Sequence, residues 1–246
     1  MVYLQRNEMA CHWHILHWHI LIHVCRKKSG RKSLNCFAVV RQILRNTSAI
    51  EEGNMKILFV NACVRKESRT RRLAERVLEK LQMENDRVEE IRVSEVDAIR
   101  DDAFIVSRNG ASEAMDFSAS AYAPARQFAE ADMIVIAAPY WDLSFPAILK
   151  AYFEQINVVG LTFEYTEDGK PRGLCKAKKL IYVTTAGGPI LSDDYGYGYV
   201  KSLAQAFYGI SEVCEIKAEG LDVFGADVEK LLDNAFFEFW KQGAVE

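Results

Sequence analysis

Hydroxyls, arginines, aromatic rings and paired glycines gather in three short stretches of this sequence, and each combination suits a different part of a ligand. In residues 61–73 (NACVRKESRTRRL), Ser68 and Thr70 stand where a helical pattern begins. Main-chain N–H groups at a helix start have no carbonyl of their own helix to bond, so together with these hydroxyls and the nearby Arg69, Arg71 and Arg72 they suit a phosphate. A plain helix cap is the other reading of the same residues. The stretch carries neither the GK[ST] of a Walker A loop nor a GxGxxG fingerprint. In residues 139–146 (PYWDLSFP), Tyr140 and Trp141 directly follow an apolar run, where a loop must face solvent or ligand, and a flat ring could lie against them. In residues 184–189 (TTAGGP), Gly187 and Gly188 either let the main chain approach a ligand closely or serve a tight turn.

Other chemistries lack their residues. The five histidines are His12, His14, His17, His19 and His23, so none follows Met55. That removes Ser-His-Asp and Cys-His hydrolases and any His-ligated metal from the later part of the chain, where no metal site is expected. Cys63, Cys175 and Cys214 are far apart with no CxxC spacing, which argues against an iron–sulfur cluster and suits a reducing, cytoplasmic location.

The elements that must position the three stretches are legible from periodicity. Residues 56–62, 132–138 and 179–186 are short apolar runs that read as buried strands, and 87–93 and 213–219 are weaker strands. Between them the spacing predicts helices: Leu73, Ala74, Val77, Leu78 and Leu81 on one face, then Ile148, Leu149, Tyr152, Phe153 and Ile156 behind Pro146. Further helices are expected in the second half of the insert 96–131, across 199–208, and at the end, where Val228, Leu231, Leu232, Ala235, Phe236, Phe239 and Trp240 share a stripe. Five strands alternating with helices predict an α/β fold: a doubly wound, five-stranded parallel sheet with helices on both faces. The three stretches then leave the carboxyl ends of strands, where such sheets bind ligands. Residues 162–170 (TFEYTEDGK) carry a hairpin signal, expected as a flap beside those carboxyl ends.

Residues 1–54 are a different kind of sequence. They hold 8 Lys and Arg against 3 Asp and Glu, whereas the remaining 192 residues hold 23 against 31. Residues 12–21 repeat HWHIL in tandem, too short and too rich in imidazole for a membrane span. Basic residues follow the apolar run instead of preceding it, which is the wrong order for a secretory signal. Glu51-Glu52-Gly53-Asn54 back-translates to a purine-rich run just before Met55, as a bacterial ribosome-binding site would. The expectation is a non-native or disordered extension, 1–54, from a mis-assigned start, followed by one domain, 55–246. With a net charge of -3, no nucleic-acid or membrane partner is expected.

Taken in order, the blocks APYWDLSFPAILKAYFEQI, GLTFEYTEDG, GLCKAKKLIYVTTAGG and YGISEVCEIKAEGL resemble the flavodoxin-like FMN reductases, the azoreductase and NAD(P)H:quinone oxidoreductase family, over nearly all of residues 55–246. The resemblance implies a flavodoxin-like fold, bound FMN, NAD(P)H as cosubstrate and a small-molecule acceptor such as a quinone or azo compound. It implies that Ser68, Arg69 and Thr70 hold the FMN phosphate, with Cys63 at a position that often carries serine. The isoalloxazine turn maps to Pro139, Tyr140, Trp141, Asp142 and Leu143, and the Gly-Gly loop to Thr185, Ala186, Gly187 and Gly188. No protein group is assigned a catalytic role, since the flavin carries the hydride; Trp141, Phe163 and Tyr165 are the candidates for stacking on substrate, with Tyr195, Tyr197 and Tyr199 behind them. A homodimer with its sites at the interface is implied too. A flavodoxin-type electron carrier, or a flavin-binding module without activity, is the competing reading; the hairpin and the lack of a TGxT-like phosphate loop weigh against the carrier. Asp142, where asparagine is common, is expected either to set a carboxylate beside the flavin and lower its potential or to point away. Ala186 departs from a common arginine.

Overall fold

Alternating apolar side chains on three central strands organise the molecule, a computed structural model that describes residues 55–83 and 86–241. The chain divides between Gly53 and Asn54. The histidine repeat and every expectation for residues 1–54 therefore lie outside the described residues.

In chain order, β1 (Lys56–Asn61) leads to α1 (Arg69–Leu81) and β2 (Arg87–Arg92). Two helices follow, α2 (Asp102–Ala114) and α3 (Ala123–Glu130), then β3 (Met133–Ala137) and α4 (Ala147–Ile156). A two-stranded hairpin, β4 (Phe163–Tyr165) and β5 (Pro171–Gly173), precedes β6 (Lys179–Thr185). The chain continues through α5 (Tyr197–Leu203), a π turn at Ala204–Tyr208, β7 (Glu212–Ala218) and α6 (Val228–Lys241). The main sheet has the order β2-β1-β3-β6-β7, and every neighbouring pair is parallel. The winding reverses between β1 and β3, which opens a crevice at their carboxyl ends.

Both faces of the sheet are covered, as near-continuous apolar runs require. Ile57, Phe59, Val135, Ile181 and Val183 pack against Leu73 and Val77 of α1 and Leu232 and Phe239 of α6. Their neighbours in sequence, Leu58, Val60, Ile134, Ile136 and Leu180, turn to the other face and meet Phe128, Leu149, Phe153 and Val200. Each such side chain contributes roughly 1.5–3 kcal/mol by leaving water. No helix of the described residues is long and apolar enough to cross a membrane.

Two features differ from expectation. Helix α2 has no buried residue, so it lacks the apolar stripe by which helices are recognised; Asp101 caps its start by accepting from the N–H of Phe104 at 3.3 Å. The hairpin forms where expected, with Gly169 at φ 76° in its turn, but at the opposite end of the sheet. A side chain on Gly173 would come within 2.1 Å of the backbone at Tyr208 and Gly209, which lead into the amino end of β7. Lys176, just before the amino end of β6, donates its N–H to Ala129 O at 2.8 Å, just before that of β3. The hairpin is therefore no flap over the carboxyl ends of its own sheet. It hangs on a connection that returns to the amino ends.

Candidate functional site

The first loop is built by its own polar side chains. Asn61 closes β1 and is buried; its carboxamide Oδ1 accepts from the N–H of Cys63 at 2.9 Å, and its Nδ2 donates to Glu90 at 2.8 Å. The chain then reaches α1, whose N-cap Ser68 accepts from the N–H of Arg71 at 3.2 Å. Arg69 and Thr70 take the first two helical positions, where no intrahelical carbonyl is available to their N–H groups. The Thr70 hydroxyl, buried, shares a 2.7 Å hydrogen bond with that of Thr185 and ties α1 to the end of β6. Cys63 places its thiol 3.7 Å from Ala137 O, and burial pushes its pKa up to about 11, so at neutral pH it is a thiol and no nucleophile.

The second loop leaves β3 as a two-residue turn. Trp141 and Ser144 exchange backbone hydrogen bonds at 2.9 and 2.8 Å, and the two residues between them, Asp142 and Leu143, both have positive φ, 49° and 68°. Asp tolerates that conformation, whereas Leu does so only with strain of about 1–3 kcal/mol. Tyr140 is fixed at both ends: its N–H donates to Thr185 O at 3.0 Å, and its hydroxyl accepts from the N–H of Leu191 at 3.2 Å.

The third loop is laced to the segment after β7. Ala186 N–H donates to Ala218 O, Leu221 N–H to Ala186 O, and Asp222 N–H to Gly187 O at 2.9 Å. The bareness of Gly187 has a definite use here. A Cβ on it would lie 2.2 Å from Oδ2 of Asp222, so the glycine makes room for a carboxylate of the protein itself. At Gly188 a Cβ would meet nothing within 4 Å.

These three loops meet in one cleft of about 340 Å³ outside the carboxyl ends of β1, β3 and β6. Cys63, Ser68, Arg69 and Thr70 line one side; Pro139, Tyr140 and Trp141 line another; Thr185, Ala186 and Gly187 close the third. Asp142, Leu143 and Gly188 stand outside the lining: Asp142 is at the exposed tip of its turn, so its carboxylate is not set into the cleft. Phe163 and Tyr165 are elsewhere, on a second cleft with Arg108 and Asn157. The Phe163 ring is 4% exposed and meets Phe207 and Tyr165 edge-on at 4.9 and 5.4 Å, so it has no face to offer a substrate. Of the three tyrosines held in reserve, Tyr195 is exposed, while Tyr197 and Tyr199 pack on the core.

The arginines of α1 also differ from expectation. Arg71 donates to Glu75 at 2.8 Å and lies 3.8 Å from Glu90; Arg72 pairs with Glu229 of α6. Neither lines the cleft. Arg69 does, and its Nη1 donates to Oδ1 of Asp222 at 2.6 Å.

Comparison with known proteins agrees with the fold. The family described as flavodoxin-like fold matches residues 55–236. The chain belongs to that family. An FMN-dependent NADH:quinone oxidoreductase of Clostridium perfringens is 35% identical over 187 residues, 72% of this chain and 92% of the relative. FMN-dependent NADH:quinone oxidoreductase 2 of Clostridium acetobutylicum is 50% identical over 115 residues, 45% of this chain; the chain thus spans 56%, about half, of that relative's length. Among solved structures, an azoreductase from Bacillus anthracis superposes with a TM-score of 0.64 at 29% identity, covering 76% of this chain and 98% of that one.

Within this flavodoxin-like chain, Arg65, Glu67, Leu221 and Asp222 also line the cleft without having been singled out in the sequence. Arg65 and Glu67 sit inside the first loop and carry no spacing signal. Asp222 follows Glu219-Gly220-Leu221, beyond the end of β7, and only the lacing to Gly187 brings it to the site.

Proposed function

We propose that residues 55–246 form an FMN-dependent NAD(P)H oxidoreductase acting on quinones, azo compounds or similar small acceptors. The observation that carries this is the convergence, in one cleft, of a helix start with an N-cap hydroxyl, an aromatic two-residue turn and a tightly laced Gly loop. The donors fit FMN in kind: Ser68 and the N–H groups of Arg69 and Thr70 suit a phosphate, and the Tyr140–Trp141 wall suits a planar ring. The cleft volume falls in the range of small-molecule sites. The family resemblance and the names of the relatives point the same way.

In this reading Ser68 and the first turn of α1 hold the phosphate end. The Thr70–Thr185 hydrogen bond keeps that turn registered on β6. Pro139 to Trp141 and Thr185 to Gly187 orient the ring from two sides, each fixed by main-chain hydrogen bonds that a bound ligand need not reorganise. When bound, FMN supplies two-electron hydride chemistry, accepting from NAD(P)H and giving to the acceptor. Trp141, 38% exposed at the rim, is the ring on which a flat substrate stacks. Cys63 stays a neutral thiol beside the cleft and leaves the flavin chemistry alone.

The protein is proposed to work as a homodimer in the cytoplasm. Helix α2 with its exposed Val106, the exposed Met115 just past its end, and the exposed Tyr165 offer apolar surface away from the cleft. Tyr165 then reaches a substrate only in the cleft of a second copy. Residues 1–54 are proposed to lie outside the functional domain, so a chain starting at Met55 should match the full chain in FMN binding and turnover.

Heat release of the cofactor and mass spectrometry should find FMN, and steady-state NADH or NADPH oxidation should depend on an added quinone. FAD, or no flavin after reconstitution, would overturn the site. Bound FMN without pyridine-nucleotide oxidation would favour the electron carrier.

A further inference from the structure

Asp222 is held in place by backbone. Its N–H is bonded to Gly187 O at 2.9 Å, and Gly220 N–H is bonded to Gly188 O at 3.1 Å, so the loop that carries it is pinned along both glycines. Its carboxylate lies over Gly187 at a distance that no other residue type at 187 would permit. From there it reaches Arg69 across 153 residues of sequence. The cleft lining carries two positive groups, Arg65 and Arg69, and two negative ones, Glu67 and Asp222. The remaining arginines of α1 are committed to Glu75, Glu90, Glu229 and Asp233. For a pocket read as a phosphate cradle this is an unusual inventory: formally neutral, with its arginine at the helix start already paired.

We propose that Asp222 is the residue that sets how strongly this cleft prefers a flavin carrying a phosphate over the same flavin without one. The proposal rests on the reading of the cleft as a flavin site. A phosphate dianion beside Arg69 is attracted by the guanidinium and repelled by the carboxylate that Gly187 admits. Arg69 is shared between the two anions, so each holds it less firmly. The ring end of the ligand is uncharged, so a change of charge at 222 acts on it far more weakly than on the phosphate. Charge at 222 therefore moves the affinity for FMN and leaves that for riboflavin in place. The outcome is a cofactor held by its ring and by neutral donors, with its phosphate only moderately favoured.

The test measures dissociation constants for FMN and for riboflavin, by quenching of flavin fluorescence, on the full chain and on Asp222→Asn, Arg69→Gln and Ser68→Ala. The Arg69–Asp222 pair is partly exposed, with side-chain exposures of 37% and 67%, which screens it. Asp222→Asn should raise the preference for FMN over riboflavin by about fivefold at low salt, and Arg69→Gln should lower it by a similar factor. The increment gained in Asp222→Asn should fall away as salt is raised, whereas a purely structural change would shift both flavins together at every salt concentration. Should Asp222→Asn disturb its loop, the wild type carries an arm of its own: its affinity for FMN should change little with salt, as befits a neutral cleft. An unchanged or lowered preference in Asp222→Asn, with Ser68→Ala still weakening FMN, would overturn the proposal and leave the flavin site standing. FMN binding indifferent to both Ser68→Ala and Arg69→Gln would remove the site and the proposal together.

Discussion

Replacing Gly187 by alanine tests whether the Asp222 carboxylate truly occupies the space above that residue. The added Cβ would stand 2.2 Å from Oδ2, 3.0 Å from Cγ and 3.3 Å from Cβ of Asp222. Overfilling a well-packed position costs typically 1–3 kcal/mol. The Asp222 side chain is short and 67% exposed, so it can swing aside, which puts the cost at the low end. Swinging aside breaks the pair with Arg69, worth less than about 1 kcal/mol at that exposure. Against these stands a gain of about 0.4–1 kcal/mol from the stiffer unfolded chain, since Gly187 is not among the glycines with positive φ. Gly187→Ala alone should therefore destabilise by about 1 kcal/mol. In an Asp222→Ala background the two closest atoms are gone and only the 3.3 Å contact remains, so the same substitution should be neutral or slightly stabilising. Urea unfolding of the four proteins gives the coupling directly, and a value above about 0.5 kcal/mol is expected for residues in contact. Equal effects of Gly187→Ala in the two backgrounds would refute the contact.

Gly173→Ala should be far more damaging, by more than about 3 kcal/mol, because its Cβ would meet unyielding backbone at 2.1 Å; thermal unfolding checks this, and a variant as stable as wild type would displace the hairpin from the Tyr208–Gly209 turn. Leu143→Gly should stabilise by about 1 kcal/mol by relieving a φ of 68°, and Asp142→Asn beside it should leave both stability and flavin potential unchanged, as spectroelectrochemical titration can verify. Burial raises the Glu215 carboxyl from its ordinary 4.5 to about 7, outweighing Lys217 3.5 Å away. The folded chain then holds a proton that the unfolded chain releases, so this group's contribution is full below about pH 4.5 and is lost as pH rises through about 7. Glu215→Gln should remove about 3 kcal/mol of that pH dependence, read from urea midpoints on either side of the window; an unaltered pH profile would mean that Glu215 is solvated.

The order of elements and most of the cleft could be read from the sequence because both depend on local patterns. Strands β1, β3 and β6 are continuous apolar runs, which only a sheet covered on two faces can bury, and α1 and α4 show one-sided spacing. The hydroxyl at Ser68, the aromatics at 140 and 141 and the glycines at 187 and 188 follow strands directly, so a parallel sheet delivers them to the same end. Helix α2 was invisible for the converse reason, having no buried face to impose a period.

What the tertiary structure alone decided are relations between residues distant in the chain. The Thr166–Lys170 turn specifies a hairpin but says nothing of where it docks; the clash-free fit of Gly173 on the Tyr208–Gly209 backbone does. A run of arginines in α1 looks like an anion site until acidic partners arrive from elsewhere: Glu90 from the β2 edge, Glu229 and Asp233 from α6, and Asp222 from beyond β7. The role of Gly187 changes in the same way, from a place where the chain is bare for a ligand to the seat of Asp222. Local periodicity reports which face of an element leaves water. The net charge and shape of a pocket are sums over side chains brought together from far apart in sequence, and no spacing along the chain encodes them.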